Sequence, residues 1–200
     1  MSSTALFDAL SLTDHLQLVL NAPYRGEIRL FSYLACVLSV YDRHPASTWG
    51  YSFFATRDGS PFSSDLNNAL EQCITLRYLT SDETSQERVF SLTDEGSESL
   101  YGLRTLTRCQ SRGVFIEASC SSALAIPSGL VRRAITPEPD LRAARALNSN
   151  RSLLQEDSGS YEILSEQLAA LRDAVGREDS DLLVPALAWI KFHLGTDGAR

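Results

Sequence analysis

Apolar positions recur at helical spacing along most of this chain, and short polar stretches divide them into segments. Leu16, Val19 and Leu20 share a face just after Thr13-Asp14, which predicts a short capped helix reaching about residue 20. Asn21-Ala22-Pro23 ends it. Over 27–41, Ile28, Phe31, Tyr33, Leu34, Val37, Leu38 and Tyr41 cover more than one face, so this helix is expected to be central. His44-Pro45 stops it. The aromatic run from Trp49 to Phe54, followed by Asp58-Gly59-Ser60-Pro61, reads as a strand and a turn. Ser63 then caps a helix to about Tyr78, with Leu66, Leu70, Cys73, Ile74 and Arg77 at helical spacing. Segments 80–85 and 88–92 form a hairpin. Thr93-Asp94-Glu95 opens a helix expected to continue through Cys109 or Gln110. The pattern over 113–125 is ambiguous and is read as helical. Beyond the break at Pro127-Ser128-Gly129, helices are expected at 130–135, 140–147, 161–175 and 182–194, with loops at 136–139 and 155–160.

The order helix, helix, strand, helix, hairpin, helix over residues 12–108 is that of a winged helix. Individual residues carry the likeness further. Tyr51, Phe53 and Phe54 form the aromatic strand. Pro61, Phe62 and Ser63 follow, with Gly59 displaced by Ser60. Leu66, Leu70 and Leu79 mark the next helix and its exit, and Phe90, Leu92, Thr93 and Gly96 close a hairpin ending in Leu-Thr-x-x-Gly. In these features the chain resembles winged-helix accessory proteins of bacterial ABC- and SMC-type multi-component systems, some of them in defence. Leu79 departs from the pattern, since the family often has Gly-Leu-Ile there. The resemblance covers roughly the N-terminal half. It implies a mainly α fold, with a winged helix and its small hairpin or three-stranded sheet over residues 1–110. A helical C-terminal region over 111–200 follows.

Charge changes this picture more than composition does. The 200 residues carry a net charge of −7, with 17 arginines against the single Lys191. Residues 1–103 net −7, residues 104–151 net +5, and residues 152–200 net −5. An acidic chain with a basic middle is not a general polyanion binder. Within the basic block, Arg104, Arg108 and Arg112 fall at i, i+4 and i+8 and would line one face of an unbroken helix. Arg132 and Arg133 follow, then Arg142, Arg145 and Arg151. Two readings of these arginines stand: pairing with the acidic tail, for example Glu162 and Glu166, or a patch for an acidic protein or a nucleic-acid backbone.

The helix over 63–78 occupies the recognition position of a winged helix. Its outward face is expected to present Ser64, Asn67, Asn68, Glu71, Gln72 and Thr75. Ser64, Asn67, Asn68 and Gln72 are the candidate recognition residues; Asn67, Asn68 and Gln72 could hydrogen-bond base edges, and are equally what a solvated helix shows. With Asp65, Glu71 and Arg77 the helix nets −1, and the wing from Ser81 to Arg88 nets −2. Phosphate contacts supply most DNA affinity, so both surfaces argue against standard docking.

Catalytic signatures are missing from the sequence. There is no G-x-x-x-x-G-K-[ST], no G-x-G-x-x-G after a strand and no H-E-x-x-H. His15, His44 and His193 lie in three separate elements, and no metal or other cofactor is expected. Cys36 and His44 are eight residues apart, ~12 Å along a helix, too far for direct contact. Cys36, Cys73, Cys109 and Cys120 form no C-x-x-C pair and read as buried thiols of a reducing compartment. The N-terminus has no basic leader region and carries Asp8, and the apolar run near 34–41 is far short of the ~20 residues of a spanning helix. The expectation is a cytoplasmic, non-enzymatic adaptor with no membrane contact. It would be kleisin-like, docking on a larger ATPase or effector subunit and meeting DNA only through that complex. The alternative is a winged-helix transcription regulator or antitoxin-like repressor. The last helix, with Trp189, could be core or docking element.

Overall fold

The computed structural model describes residues 3–83, 88–176 and 181–197. The fold is mainly helical with two small antiparallel sheets, and its centre is the helix whose apolar residues cover more than one face. This helix, α2 (Arg25–Tyr41), buries every residue from 30 to 41. Beyond its first turns α2 has no polar face and must be enclosed, and it is enclosed by elements from both ends of the chain. On one side lies α1 (Ser3–Leu20). On others lie α5 (Thr107–Ala125) and α8 (Gly159–Val175). The expected division near residue 110 falls inside α5, which contacts both α1 and α2.

The first helix is longer than its polar punctuation predicts. Thr13 is not its cap: the Thr13 hydroxyl donates 2.7 Å to the Ala9 carbonyl in mid-helix, and Ala5, Phe7, Leu10 and Leu12 are buried ahead of it. The capping at Ser63 and Thr93 is as read. The Ser63 hydroxyl accepts from the Leu66 N–H at 3.4 Å and starts α3 (Ser64–Thr75). The Thr93 hydroxyl accepts from the Gly96 N–H at 3.0 Å and starts α4 (Asp94–Arg104).

The aromatic strand is β1 (Phe53–Ala55), preceded by a 3₁₀ turn at Ala46–Trp49. It does not join the hairpin. It is the middle of a sheet ordered β2-β1-β5, between β2 (Pro61–Phe62) and β5 (Arg151–Leu153). Phe54 faces Phe62 on one side, and Phe53 faces Leu153 on the other. The C-terminal region thus donates a strand to the N-terminal one. The hairpin, β3 (Leu79–Glu83) with β4 (Arg88–Leu92), is a separate two-stranded sheet; the expected wing tip at 84–87 lies outside the described residues. Its outer neighbour is the α1–α2 linker. Tyr24 bridges Val89, and the Phe90 N–H donates 3.1 Å to the Pro23 carbonyl.

Two local devices close this half. Leaving α3, Arg77 takes a left-handed conformation (φ 61°), the geometry that a glycine would supply more cheaply. Gly96 lies so close to the hairpin base that an added Cβ would sit 2.1 Å from the Tyr78 carbonyl oxygen. The glycine of Leu-Thr-x-x-Gly is therefore a contact requirement.

The C-terminal region continues with α6 (Ser128–Ile135) and α7 (Pro139–Leu147) and ends in α9 (Leu183–Asp197). The Asp181 carboxylate accepts from the Leu183 N–H at 2.9 Å at the start of α9. That helix packs on α5, α6 and α8, with Ala186, Trp189 and Ile190 buried. Those residues belong to the core, while Val184 and Phe192 of the same helix are exposed. Glu138 caps α7, accepting from the Leu141 N–H at 2.8 Å, and burial pushes its carboxyl up to about 7 against that bond.

Two outcomes follow from these contacts. Gly96→Ala should cost at least ~2 kcal/mol in denaturant unfolding, because backbone must move to admit the methyl group. Glu138→Gln tests the buried acid. A carboxyl raised above its ordinary 4.5 contributes most at low pH, and that contribution is lost as pH rises through about 7. Glutamine keeps the capping oxygen and cannot ionise. The variant should match the parent near pH 4.5 and melt higher at about pH 8. Equal melting at the higher pH would show that the ionised cap is accommodated.

Candidate functional site: an arginine-lined cleft

The three arginines at helical spacing do not share a face. The backbone breaks at Thr105–Leu106, where the Thr105 hydroxyl donates 2.7 Å to the Gly102 carbonyl, and α5 restarts at Thr107. Arg104 ends α4 and pairs with Asp14 of α1 at 2.8 Å, half-exposed. Arg108 is exposed on α5. Arg112 points inward and is 6% exposed, so it is not a surface residue at all. The expected stripe is thus two exposed arginines on different helices and one core residue.

Arg112 belongs to a buried polar network. Its Nε and Nη2 donate to the two carboxylate oxygens of the fully buried Asp8, at 2.5 and 2.6 Å. The Tyr51 hydroxyl donates to the same carboxylate at 2.5 Å and lies 2.7 Å from the Ser32 hydroxyl. The guanidinium also stacks 3.5 Å from the centre of the Trp49 ring. Burial works to release the arginine's proton, but the Asp8 charge and hydrogen bonds override it, so Arg112 holds that proton more tightly than usual. Burial, then Asp8, raises the Tyr51 hydroxyl well above its ordinary value. The network is sealed by protein and presents nothing to a ligand.

The basic surface lies elsewhere. Arg25 and Arg29 from α2, Arg88 from β4 and Arg132 from α6 converge on a cleft of about 610 Å³. Asp58, in the β1–β2 turn, and Glu71, on α3, also line it. The formal sum of these six side chains is +2. Glu71 is held by Arg25 and by Arg88, whose Nη1 lies 3.1 Å from both carboxylate oxygens. Burial works to raise the Asp58 carboxyl, but hydrogen bonds from the Thr56 and Ser60 hydroxyls and the charge of Arg132 outweigh it and hold it below the ordinary range. The Arg132 side chain is exposed, and its charge reaches Asp58 across the cleft. Arg133, its neighbour, is exposed outside the cleft lining.

The outward face of α3 is as predicted from spacing, but one edge is engaged. Leu66, Ala69, Leu70 and Cys73 are buried, while Ser64, Asn68 and Gln72 are exposed. The Asn67 side-chain oxygen accepts from Arg29 Nε at 3.0 Å and Nη2 at 2.7 Å, with the guanidinium stacked 4.8 Å from the Phe62 ring centre. Of the sequence candidates, only Arg132 reaches the cleft. Arg25, Arg29 and Arg88 were missed. The spacing of Arg25 and Arg29 at i, i+4 at the start of α2 was the available signal.

Among the described residues no group of three or more His, Cys, Asp or Glu side chains could hold a metal ion. The four thiols are free and buried, and burial pushes Cys36 and Cys73 up to about 12. No single described helix is long and apolar enough to cross a membrane; α5 and α6 pass only as a pair, bent by 114°. Comparison with protein-family models, curated proteins and solved structures finds no match to this chain.

Arg112→Ala leaves Asp8 charged and buried, so it should cost about 3–5 kcal/mol of stability. Arg104→Ala removes a half-exposed pair and should cost under ~1 kcal/mol. Chemical denaturation of both variants checks the contrast, and equal losses would contradict the placement of Arg112.

Proposed function

We propose that this chain is a non-enzymatic adaptor built on a winged helix, which docks on a larger protein such as an ATPase or effector subunit. A place in a bacterial defence complex, with a kleisin-like role, is part of the same reading. The winged-helix assignment is supported by the order α1, linker, α2, α3, β3, β4, in which Tyr24 of the linker pairs with Val89 of the hairpin. In that arrangement α3 holds the recognition position, and residues 46–62 are an insertion before it.

The observation that carries the adaptor reading is what happens to α3. Asn67 is bound to Arg29, and Glu71 to Arg25 and Arg88, so this edge of the helix is braced against α2 and the hairpin. A helix that reads bases needs those side chains free and needs cations beside them. Here the cations are paired with the protein's own side chains, and Glu71, paired or displaced, keeps a negative charge on the helix face that phosphates would approach. The regulator reading keeps one point in its favour, since Ser64, Asn68 and Gln72 remain exposed.

Two measurements separate these readings. At ~150 mM salt the protein alone should bind duplex DNA weakly or not at all. Co-expressed with the products of neighbouring genes, it should elute from size exclusion as a stoichiometric complex. Sub-micromolar, sequence-selective DNA binding that is lost in Asn68→Ala or Gln72→Ala would favour the regulator.

A further inference from the structure

Resting on the adaptor reading, we infer that the arginine-lined cleft between α2, α3, β4 and α6 receives an acidic segment of the partner polypeptide. Glu71 occupies part of that site in the unbound protein. The cleft is large enough for two or three side chains and is the place where arginines from three separate elements meet. Arginine suits carboxylates, and the cleft already holds one: Glu71 accepts from Arg25 and, through both oxygens, from Arg88 Nη1. Glu71 is 50% exposed, so it can rotate out at little cost when another carboxylate takes Arg25 and Arg88. Arg132 offers a further exposed charge on the side of the cleft nearest Asp58.

The lining also argues against other anions. None of its side chains is aromatic, so an unstacked base finds no platform. Two carboxylates interrupt the positive surface, which a continuous phosphate backbone would meet unfavourably. A flexible acidic peptide can place its charges on the arginines and pass Asp58, which stays fixed by the Thr56 and Ser60 hydroxyls. The overall charge of −7 repels acidic chains at long range, so capture depends on short-range pairing and weakens with salt.

The test is fluorescence anisotropy of the full chain with a labelled peptide containing a run of glutamates. The matching glutamine peptide and a short DNA duplex serve as comparisons. The glutamate peptide should bind, and the glutamine peptide should not. Arg132→Glu should weaken binding about tenfold or more, and because Arg132 is exposed and acts on Asp58 only through solvent-screened charge, the variant should melt within a few degrees of the parent. Glu71→Gln removes the internal competitor and should tighten binding about tenfold. If Glu71→Gln instead weakens binding as Arg88→Glu does, Glu71 builds the cleft and does not occupy it, and the displacement is wrong. Tighter binding of the duplex, with the same arginine dependence, would overturn the peptide assignment. Absence of peptide binding in every variant, alongside an intact complex with a neighbouring gene product that Arg132→Glu leaves undisturbed, would remove the cleft and leave the adaptor standing. Absence of both would remove the adaptor reading as well.

Discussion

A single buried ion pair organises the junction on which the other elements depend. Asp8 and Arg112 lie 104 residues apart and meet where α1, α2, α5 and the 3₁₀ turn come together. Two charges taken from water must satisfy each other and their remaining valences, or the cost is several kcal/mol. Here Tyr51 fills the vacant position on the carboxylate, Ser32 supports Tyr51, and the Trp49 ring covers the guanidinium. These demands hold the aromatic segment in the interior. Phe53 then packs against Tyr33 and Tyr51, with ring centres 5.6 and 5.4 Å away, and β1 runs out between β2 and β5. The aromatic segment is thus anchored at the pair before β1 enters its sheet with β2 and β5, apart from the hairpin that borders the α1–α2 linker.

Features set by local chemistry were legible in the sequence. The Ser63 and Thr93 caps, the extent of α2 and the hairpin strands each follow from residues within a turn or two of one another. The glycine at 96 belongs with them, though its reason lies in a tertiary contact. What failed was long-range. β5 has three residues and exists because β1 offers it an edge; no alternation of its own announces it. The break after α4 has no glycine or proline and no side-chain cap at Leu106. Arg112 read as a surface residue because arginine usually keeps its head in water. Only the position of Asp8, fully enclosed on α1, shows otherwise.

The cleft was hidden for a different reason. Summing charge over long blocks assigned residues 1–103 a net of −7, which conceals Arg25, Arg29 and Arg88 among the acids. Folding separates those charges. The helix α2 projects two arginines one turn apart, the hairpin brings a third, and α6 adds Arg132 from the basic block. Net charge by segment is informative about solubility and steering, whereas a site depends on which charges the fold brings within a few ångströms.

In the proposed adaptor, the two arginine groups divide the electrostatics between stability and recognition. Arg112 is neutralised by a carboxylate that cannot leave, because Asp8 is fully buried and held by three donors. Glu71 instead meets one terminal nitrogen from each of two arginines, at a half-exposed position where water can replace either partner. The same ion chemistry is therefore locked in one place and exchangeable in the other, and solvent access makes the difference. In the proposed adaptor that difference is functional. The inner pair fixes the frame formed by α1, α2 and α5, and this frame holds Arg25 and Arg29 in place on α2. The outer pair can open without disturbing the core, which is what a docking site for an acidic chain requires.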